Sequence, residues 1–357
     1  MALPLVRLVV LFGGQSAEHD VSRVTAAHVL RAADPTRYDI HPVAITREGQ
    51  WLQAQAASDA LAEGPQELPA ALEVDGPMIE PSAALVVDDP ETSVVVFPLL
   101  HGPLGEDGTV QGFLELLDVA YVGSGVLASA VGMDKSMAKE LLAYHGIATA
   151  RWVTIAAHHR TASTAADAVA RLGLPVFVKP ANMGSSIGVS RATSVEQVEA
   201  ALDLALSYDE VVIVEEAIVG REIEVAVLGD LTPRASVPGE IVPSHDFYDY
   251  ADKYLDDAAK LLVPAPLDAR ECADVQRIAL EVFAALRCSG MARVDFFYEE
   301  DGRGFLCNEV NTIPGFTPIS MFPKLWQATG VDYSALIDEL VVLAQERHRR
   351  RRRRTDY

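Results

Sequence analysis

Residues 6–12 contain the unbroken apolar run LVVLF and stop at Gly13-Gly14. A strand that is apolar at every position must be covered on both faces, as a parallel strand is when it lies between layers of helix. Residues 21–33 follow with helical spacing, 38–46 read as a second strand, and 93–99 as a third. This is the rhythm of βαβ units. An α/β domain around a parallel, Rossmann-like sheet is therefore expected first, over about residues 1–123. Residues 54–90, rich in Ala, Pro, Asp and Glu, read as irregular or loosely helical surface.

Two α+β units are expected after it. In the first, over 124–216, residues 134–145 and 165–172 read as helices, the latter stopped by Gly173 and Pro175. A strand at 176–179 runs into a Gly/Ser loop. A helix at 196–207 and a strand at 211–216 follow. In the second, over 217–346, strands are expected at 223–228 and 235–242, a long helix at 269–286, and a last helix at 333–345. Residues 292–298 and 304–310 read as an antiparallel pair around Asp301-Gly302. Residues 347–357 read as a frayed basic tail, with an anion or partner contact as the alternative.

A chain of 357 residues, half of them apolar, has enough material for two or three buried cores. Its net charge of -22 disfavours nucleic acid and anionic membranes as partners. Any site for an anionic substrate must then bring its own lysines and arginines. The three cysteines, Cys272, Cys288 and Cys307, form no CxxC pair and read as free thiols in a reducing cytoplasm. His158 and His159 are adjacent, which is not a metal-ligand spacing. The N-terminal apolar run is too short to span a bilayer.

The chemistry concentrates at Arg293-Val294-Asp295 and Glu309-Val310-Asn311. Alternation along a strand sends Arg293 and Asp295 to one face, and Glu309 and Asn311 to one face. If the two strands pair, all four converge. Such oxygen donors suit a hard cation such as Mg²⁺, and the arginine beside them can neutralise a developing oxyanion. A plain salt bridge between strands is the alternative. For a nucleotide, the phosphate loop GxxxxGK[ST] is absent. One GxGxxA stands at Gly123-Ser124-Gly125-Val126-Leu127-Ala128, a weak dinucleotide signal. The stretch from Lys179 through Asn182, Met183, Gly184, Ser185, Ser186 and Gly188 delivers a lysine and then backbone N–H groups and hydroxyls. It reads either as a cover over a triphosphate or as an ordinary Gly-rich hairpin.

The segment His101-Gly102-Pro103-Leu104-Gly105-Glu106-Asp107-Gly108-Thr109-Val110-Gln111-Gly112 resembles the first signature of the D-alanine–D-alanine ligases, members of the ATP-grasp superfamily. The stretch from Gly290 through Arg293, Asp295, Glu309, Asn311, Pro314 and Gly315 resembles the second. The likeness runs from about Arg7 to Ala344. Cys307 departs from the usual Leu or Ile, and His19-Asp20 follows Glu18 where the family varies.

The resemblance implies a three-domain ATP-grasp fold and ligation of two D-alanine molecules, with ATP, through a D-alanyl phosphate. It implies Lys135 and Lys179 on the ATP phosphates, with Gly184, Ser185 and Ser186 in the covering loop. It places Glu215, Glu216, Ala217 and Ile218 at the adenine, Glu222 at the ribose, and Asn308 and Glu309 beside the nucleotide. Asp295, Glu309 and Asn311 would hold two Mg²⁺ or Mn²⁺ ions. Glu18 would pair with the first D-alanine's ammonium, linked to Ser185 and Tyr254, with His101 near that substrate. Ser320 would bind the second substrate's carboxylate. Arg293 and the Gly315 N–H would hold the tetrahedral oxyanion. Residues 243–264 would close as a lid carrying Lys253 to the γ-phosphate and Tyr254 to the second substrate. A cytoplasmic homodimer is expected by the same analogy. The competing readings are a D-alanine–D-lactate ligase, a non-catalytic nucleotide-binding protein on the same scaffold, and a dinucleotide-dependent oxidoreductase.

Overall fold

The computed structural model describes residues 6–85, 92–242 and 260–351. The first strand, β1 (Val6–Gly13), is buried from Leu8 to Phe12. It pairs in parallel with β2 (Tyr38–Ile45) on one side and β4 (Val94–Pro98) on the other. The short antiparallel strand β3 (Trp51–Leu52) closes one edge, and β5 (Ala120–Tyr121) the other, giving the order β3-β2-β1-β4-β5. Helix α1 (His19–Ala32) lies between β1 and β2 in sequence and packs against β1. Chain order reverses between β1 and β4, so their carboxyl ends open a crevice, the usual ligand position in such sheets. Residues 54–85 are more regular than composition suggested. They contain α2 (Gln55–Glu63) and α3 (Pro81–Leu85).

After α4 (Thr109–Leu116), α5 (Val126–Met133) and α6 (Lys135–Tyr144), a second sheet is built from β6 (Trp152–Ala156), β7 (Val176–Pro180), β8 (Ser190–Ala192) and β9 (Val211–Glu216). Its order is β6-β9-β7-β8, antiparallel throughout. Helices α7 (Thr164–Leu172) and α8 (Val195–Leu206) supply the apolar residues of its core. Strands β6 and β8 had no counterpart in the sequence reading.

The third sheet contains β10 (Arg221–Gly229), β11 (Arg234–Ala235), β12 (Gly239–Val242), β13 (Lys260–Leu262), β14 (Gly290–Glu299) and β15 (Gly304–Asn311). The single strand expected at 235–242 is two, β11 and β12, with Pro238 between them. Proline has no N–H for the ladder. Helix α9 (Ala269–Ala285) starts at a capping box, in which Asp268 and Glu271 satisfy each other's backbone N–H groups. Two further helices, α10 (Met321–Ala328) and α11 (Tyr333–Arg351), complete the described chain.

The basic stretch read as a loose tail from residue 347 is helical through Arg351. Arg347 is 6 % exposed and donates to the carbonyl oxygens of Tyr121 (3.0 Å) and Gly123 and to Ser289 Oγ (2.9 Å). These bonds extend the helix beyond the expected end. The same contacts use up the Gly123–Ala128 stretch. Gly123 packs against the backbone of Gly290, and Arg351 lies against Gly125. These glycines serve close packing, and the dinucleotide reading loses its site. Among the described residues no helix is long and apolar enough to cross a membrane.

Candidate active site

Two groups of polar side chains flank the crevice at the ends of β1 and β4. A cavity of about 370 Å³ opens there, lined by the Gly13-to-Ser16 turn, His101 and the first turn of α4. Glu18 ends the turn after β1 and is 8 % exposed. Ser185, on the loop after β7, donates its Oγ–H to Glu18 Oε1 at 2.5 Å. The loop reaches that far because Ser185 and Ser186 both adopt positive φ, and because Gly184 has no Cβ. A Cβ there would stand 3.0 Å from Glu18 Oε2. Lys135, at the start of α6, donates to the Met183 carbonyl at 2.5 Å and so anchors the same loop. Asp134 caps α6 through the N–H groups of Ser136 and Met137.

His101 is buried, and its Nδ1 lies 3.1 Å from the Ile313 carbonyl. A carbonyl only accepts, so Nδ1 carries the proton and Nε2 is the acceptor. Nε2 has no hydrogen-bond partner among the described residues. Burial lowers the imidazole's pKa despite the opposing pull of Glu18, so the ring is neutral. Glu106 bridges the same segments, accepting from the N–H of Gly102 at 2.8 Å and of Ile313 at 3.2 Å. Burial, reinforced by Glu18, pushes its carboxyl up to about 8.

The second group lies on the third sheet. Arg293 pairs across β14 and β15 with Asn311, and Asp295 with Glu309. The register then slips between Asp295 and Phe296, which faces Cys307, leaving Asn308 as the extra residue of a β-bulge. Arg293 grips Asp295 with two hydrogen bonds of 2.7 Å, and Asn311 Nδ2 donates to Asp295 Oδ2 at 2.9 Å. On the other side of β14, Asp295 faces Glu224 of β10, whose Oε2 is 3.0 Å from Arg293 Nε. Glu224, Asp295 and Glu309 thus stand in one row across three strands. Burial opposes the charge on Arg293, but Asp295 and Glu224 outweigh it and raise its pKa.

The residues expected to face the nucleotide come from the second sheet and the helix before it. Lys179 on β7 lies 2.5 Å from Glu215 Oε2, and Lys139 of α6 lies 2.7 Å from Glu215 Oε1. Burial works against the Glu215 carboxylate, yet the two lysines hold its pKa down to about 2. Glu215 is therefore the centre of a buried ion triad, 3 % exposed. Adjacent Glu216 points the other way, to Arg151 and Arg303. The Ala217 N–H donates to the Pro175 carbonyl at 3.1 Å, with Ile218 following in the turn to β10. Lys179 also feels the charges of Glu309 and of Glu222, at the start of β10.

Ser320 stands at the N-cap position of α10 without a side-chain bond to the helix, its Oγ 2.8 Å from Thr317 Oγ1 and 3.1 Å from the Thr317 N. Gly315 sits against it, where an added Cβ would be 2.9 Å from Ser320 Oγ. Lys253, Tyr254 and most of the expected lid, residues 243–259, lie outside the described residues. Three site residues escaped the sequence reading. Glu224 was signalled by its spacing of two from Glu222 on one strand. Lys139 was signalled by its spacing of four from Lys135 on one helix. Glu106 lies inside the first signature but had no role assigned.

The donor set of Asp295, Glu309 and Asn311 fits a hard divalent cation. A row of three carboxylates exceeds the charge of Arg293, and like charges directly opposed across strands repel unless neutralised. Two carboxylates and an amide oxygen are also the sparse set that Mg²⁺ takes when phosphates complete its shell. Among the described residues no three His, Cys, Asp or Glu side chains form a metal cage by themselves.

Lys179 on one antiparallel sheet, within electrostatic reach of Glu309 and Glu222 on another, is the arrangement of an ATP-grasp enzyme. A family model described as D-ala D-ala ligase N-terminus matches residues 7–124, and one described as D-ala D-ala ligase C-terminus matches 141–342. A D-alanine–D-alanine ligase of Geobacillus thermodenitrificans is 47% identical over 350 residues, covering 96% of each chain. A D-alanine–D-alanine ligase A of Bradyrhizobium diazoefficiens is 49% identical over 365 residues, covering 97% of this chain and 96% of the relative. The solved D-alanine–D-alanine ligase of Coxiella burnetii superposes with a TM-score of 0.80 at 34% identity, covering 97% of this chain and 96% of that one. The VanG D-Ala:D-Ser ligase of Enterococcus faecalis also gives 0.80, at 35% identity, covering 95% and 99%. The chain belongs to the D-alanine–D-alanine ligase family.

Proposed function

We propose that this site joins two D-alanine molecules into D-alanyl-D-alanine, using ATP to activate the first. The observation that carries the reading is the in-register facing of Asp295 with Glu309 and of Arg293 with Asn311, within electrostatic reach of Lys179. A carboxylate resists attack by an amine because it is already negative. Transfer of the γ-phosphoryl group to the first D-alanine's carboxylate gives an acyl phosphate and ADP. The amine of the second D-alanine then attacks that carbonyl and phosphate leaves.

Glu18 holds the first substrate's ammonium. His101, neutral and with a free lone pair on Nε2, offers it a second acceptor. Lys135 and Lys179 bind phosphate oxygens, and Arg293, aimed by Glu224 and Asp295, meets the negative charge that builds at the reacting carbonyl. Gly315 and Ser320 take the second substrate's side of the site. Asp295, Glu309 and Asn311 would hold Mg²⁺, which neutralises charge on the transferring phosphoryl group. Glu215 supports this reading less as a wall for adenine than as the group that fixes Lys179. A homodimer and a cytoplasmic location extend the same family reading.

The decisive experiment incubates the protein with ATP, Mg²⁺ and D-alanine and measures dipeptide and phosphate together. Equal yields of both are expected. ADP without dipeptide would remove the ligase reading. The likeness to a D-Ala:D-Ser ligase shows that the fold alone does not choose the acceptor. D-serine and D-lactate are therefore run beside D-alanine, and D-alanine is expected to give most product near neutral pH.

A further inference from the structure

The chain carries 51 acidic residues against 29 lysines and arginines, yet one cleft is lined, among the described residues, by bases without an acid. It holds about 290 Å³ between α1, the segment entering α10, and the first residue of α11. His28 and Arg31 face it from α1, and Lys324 from α10, with Pro318, Pro323 and Tyr333 among the remaining wall. None of the residues assigned to the active site lines it. Arg31 needs no acid to hold it in place. Its Nη2 donates to the carbonyls of Leu68 and Pro69, at 2.7 and 2.5 Å. Tyr333 is likewise fixed, through its hydroxyl bond to the Phe316 carbonyl.

Like charges gathered without a counter-charge repel one another, and in so acidic a chain an acid at this wall would be the ordinary remedy. An oxyanion between Arg31 and Lys324 removes their repulsion and accepts charge-assisted hydrogen bonds from guanidinium and ammonium, while His28, whose pKa burial and then Arg31 lower, faces it as a neutral ring. We propose that this cleft is a binding site for a small oxyanion of the phosphate class, separate from the nucleotide site. Its wall includes Pro318, next to Thr317, whose N–H and hydroxyl hold Ser320. A bound anion therefore bears on the segment that carries Ser320.

The test follows the Tm of the full chain with inorganic phosphate, and with sodium chloride at matched ionic strength, for the wild type and for R31Q/K324Q. A saturable rise of a few degrees is expected for the wild type at ~10 times the half-saturating phosphate concentration. Chloride should not reproduce it. Phosphate also leaves the active site as a product, so the double variant reports that contribution alone and should show a smaller rise. The ring signals of His28 in NMR should move with phosphate in the wild type and stay still in the double variant. K324Q alone, an exchange at a partly exposed position, gives an intermediate response and covers the case in which R31Q/K324Q folds poorly. Equal rises in wild type and both variants, an equal rise with chloride (an adventitious ion only), or unmoved His28 signals would overturn the assignment.

Discussion

Glu224 Oε2 lies 3.0 Å from Arg293 Nε, on the side of the guanidinium away from Glu309's strand. Asp295 alone does not fix Arg293. If Asp295 turns to a metal ion, Glu224 still holds the guanidinium in place. Glu224→Gln keeps the shape and removes the charge. Turnover should fall ~10-fold, the scale for losing a partner that orients a functional group. Arg293→Ala should cost roughly 10²-fold or more. Steady-state kinetics with both substrates saturating measure both. Glu224→Gln with wild-type kcat would show that Asp295 suffices.

Ser185 reaches Glu18 from a different sheet, and the bond is to a charged acceptor. Ser185→Ala should raise the KM for the first D-alanine about tenfold, since hydrogen bonds to charged groups contribute about 1.5–3 kcal/mol. ATP affinity should change little, because Lys135 still ties the loop through Met183. Separate titrations of D-alanine and ATP decide it, and an equal loss of both would mean the loop itself had collapsed.

The Lys139–Glu215–Lys179 triad makes stability depend on acid. The Glu215 pKa lies near 2 when folded, below its unfolded value of about 4.3. Its contribution is present above the unfolded value and is lost as pH falls toward 2. Lys139→Met should destabilise the fold by about 1.5–3 kcal/mol, because Glu215 loses one of its two charged partners while Lys179 remains. It should also start acid unfolding at a higher pH than in the wild type. Urea melts between pH 7 and 3 test both parts.

Glu106 has the opposite sign. Its folded pKa, about 8, lies above its unfolded value, so its contribution is full at low pH and falls as pH rises through 8. Both of its oxygens accept backbone N–H groups, whereas Gln offers one oxygen. Glu106→Gln should flatten the loss of stability between about pH 4.5 and 8 while lowering kcat. An unchanged slope of Tm against pH over that range would locate the titration elsewhere.

The paired strands of the third sheet were legible because alternation, a tight Asp-Gly turn and an Arg/Asp/Glu/Asn set coincide within twenty residues. Strands β6 and β8 were not. The first is largely half-buried and the second has three residues, so neither writes a period into the sequence. Helix α10 was hidden by Pro323, which reads as a breaker although it falls in the first turn, where no N–H is needed. Glu215 shows a further limit. Its position on an apolar strand was visible, but its two lysine partners come from residues 36 and 76 positions earlier, which no local pattern reports.

Arg347 joins the carbonyls at the close of the N-terminal sheet to a hydroxyl just before β14, with the Tyr121 ring 4.2 Å beneath its guanidinium. During synthesis the first sheet leaves the ribosome long before residue 347 does. Its outermost parallel strand must wait for Arg347 before gaining that support. A nascent chain that had not yet reached that point would carry every proposed catalytic group and still lack the bolt between its first sheet and β14.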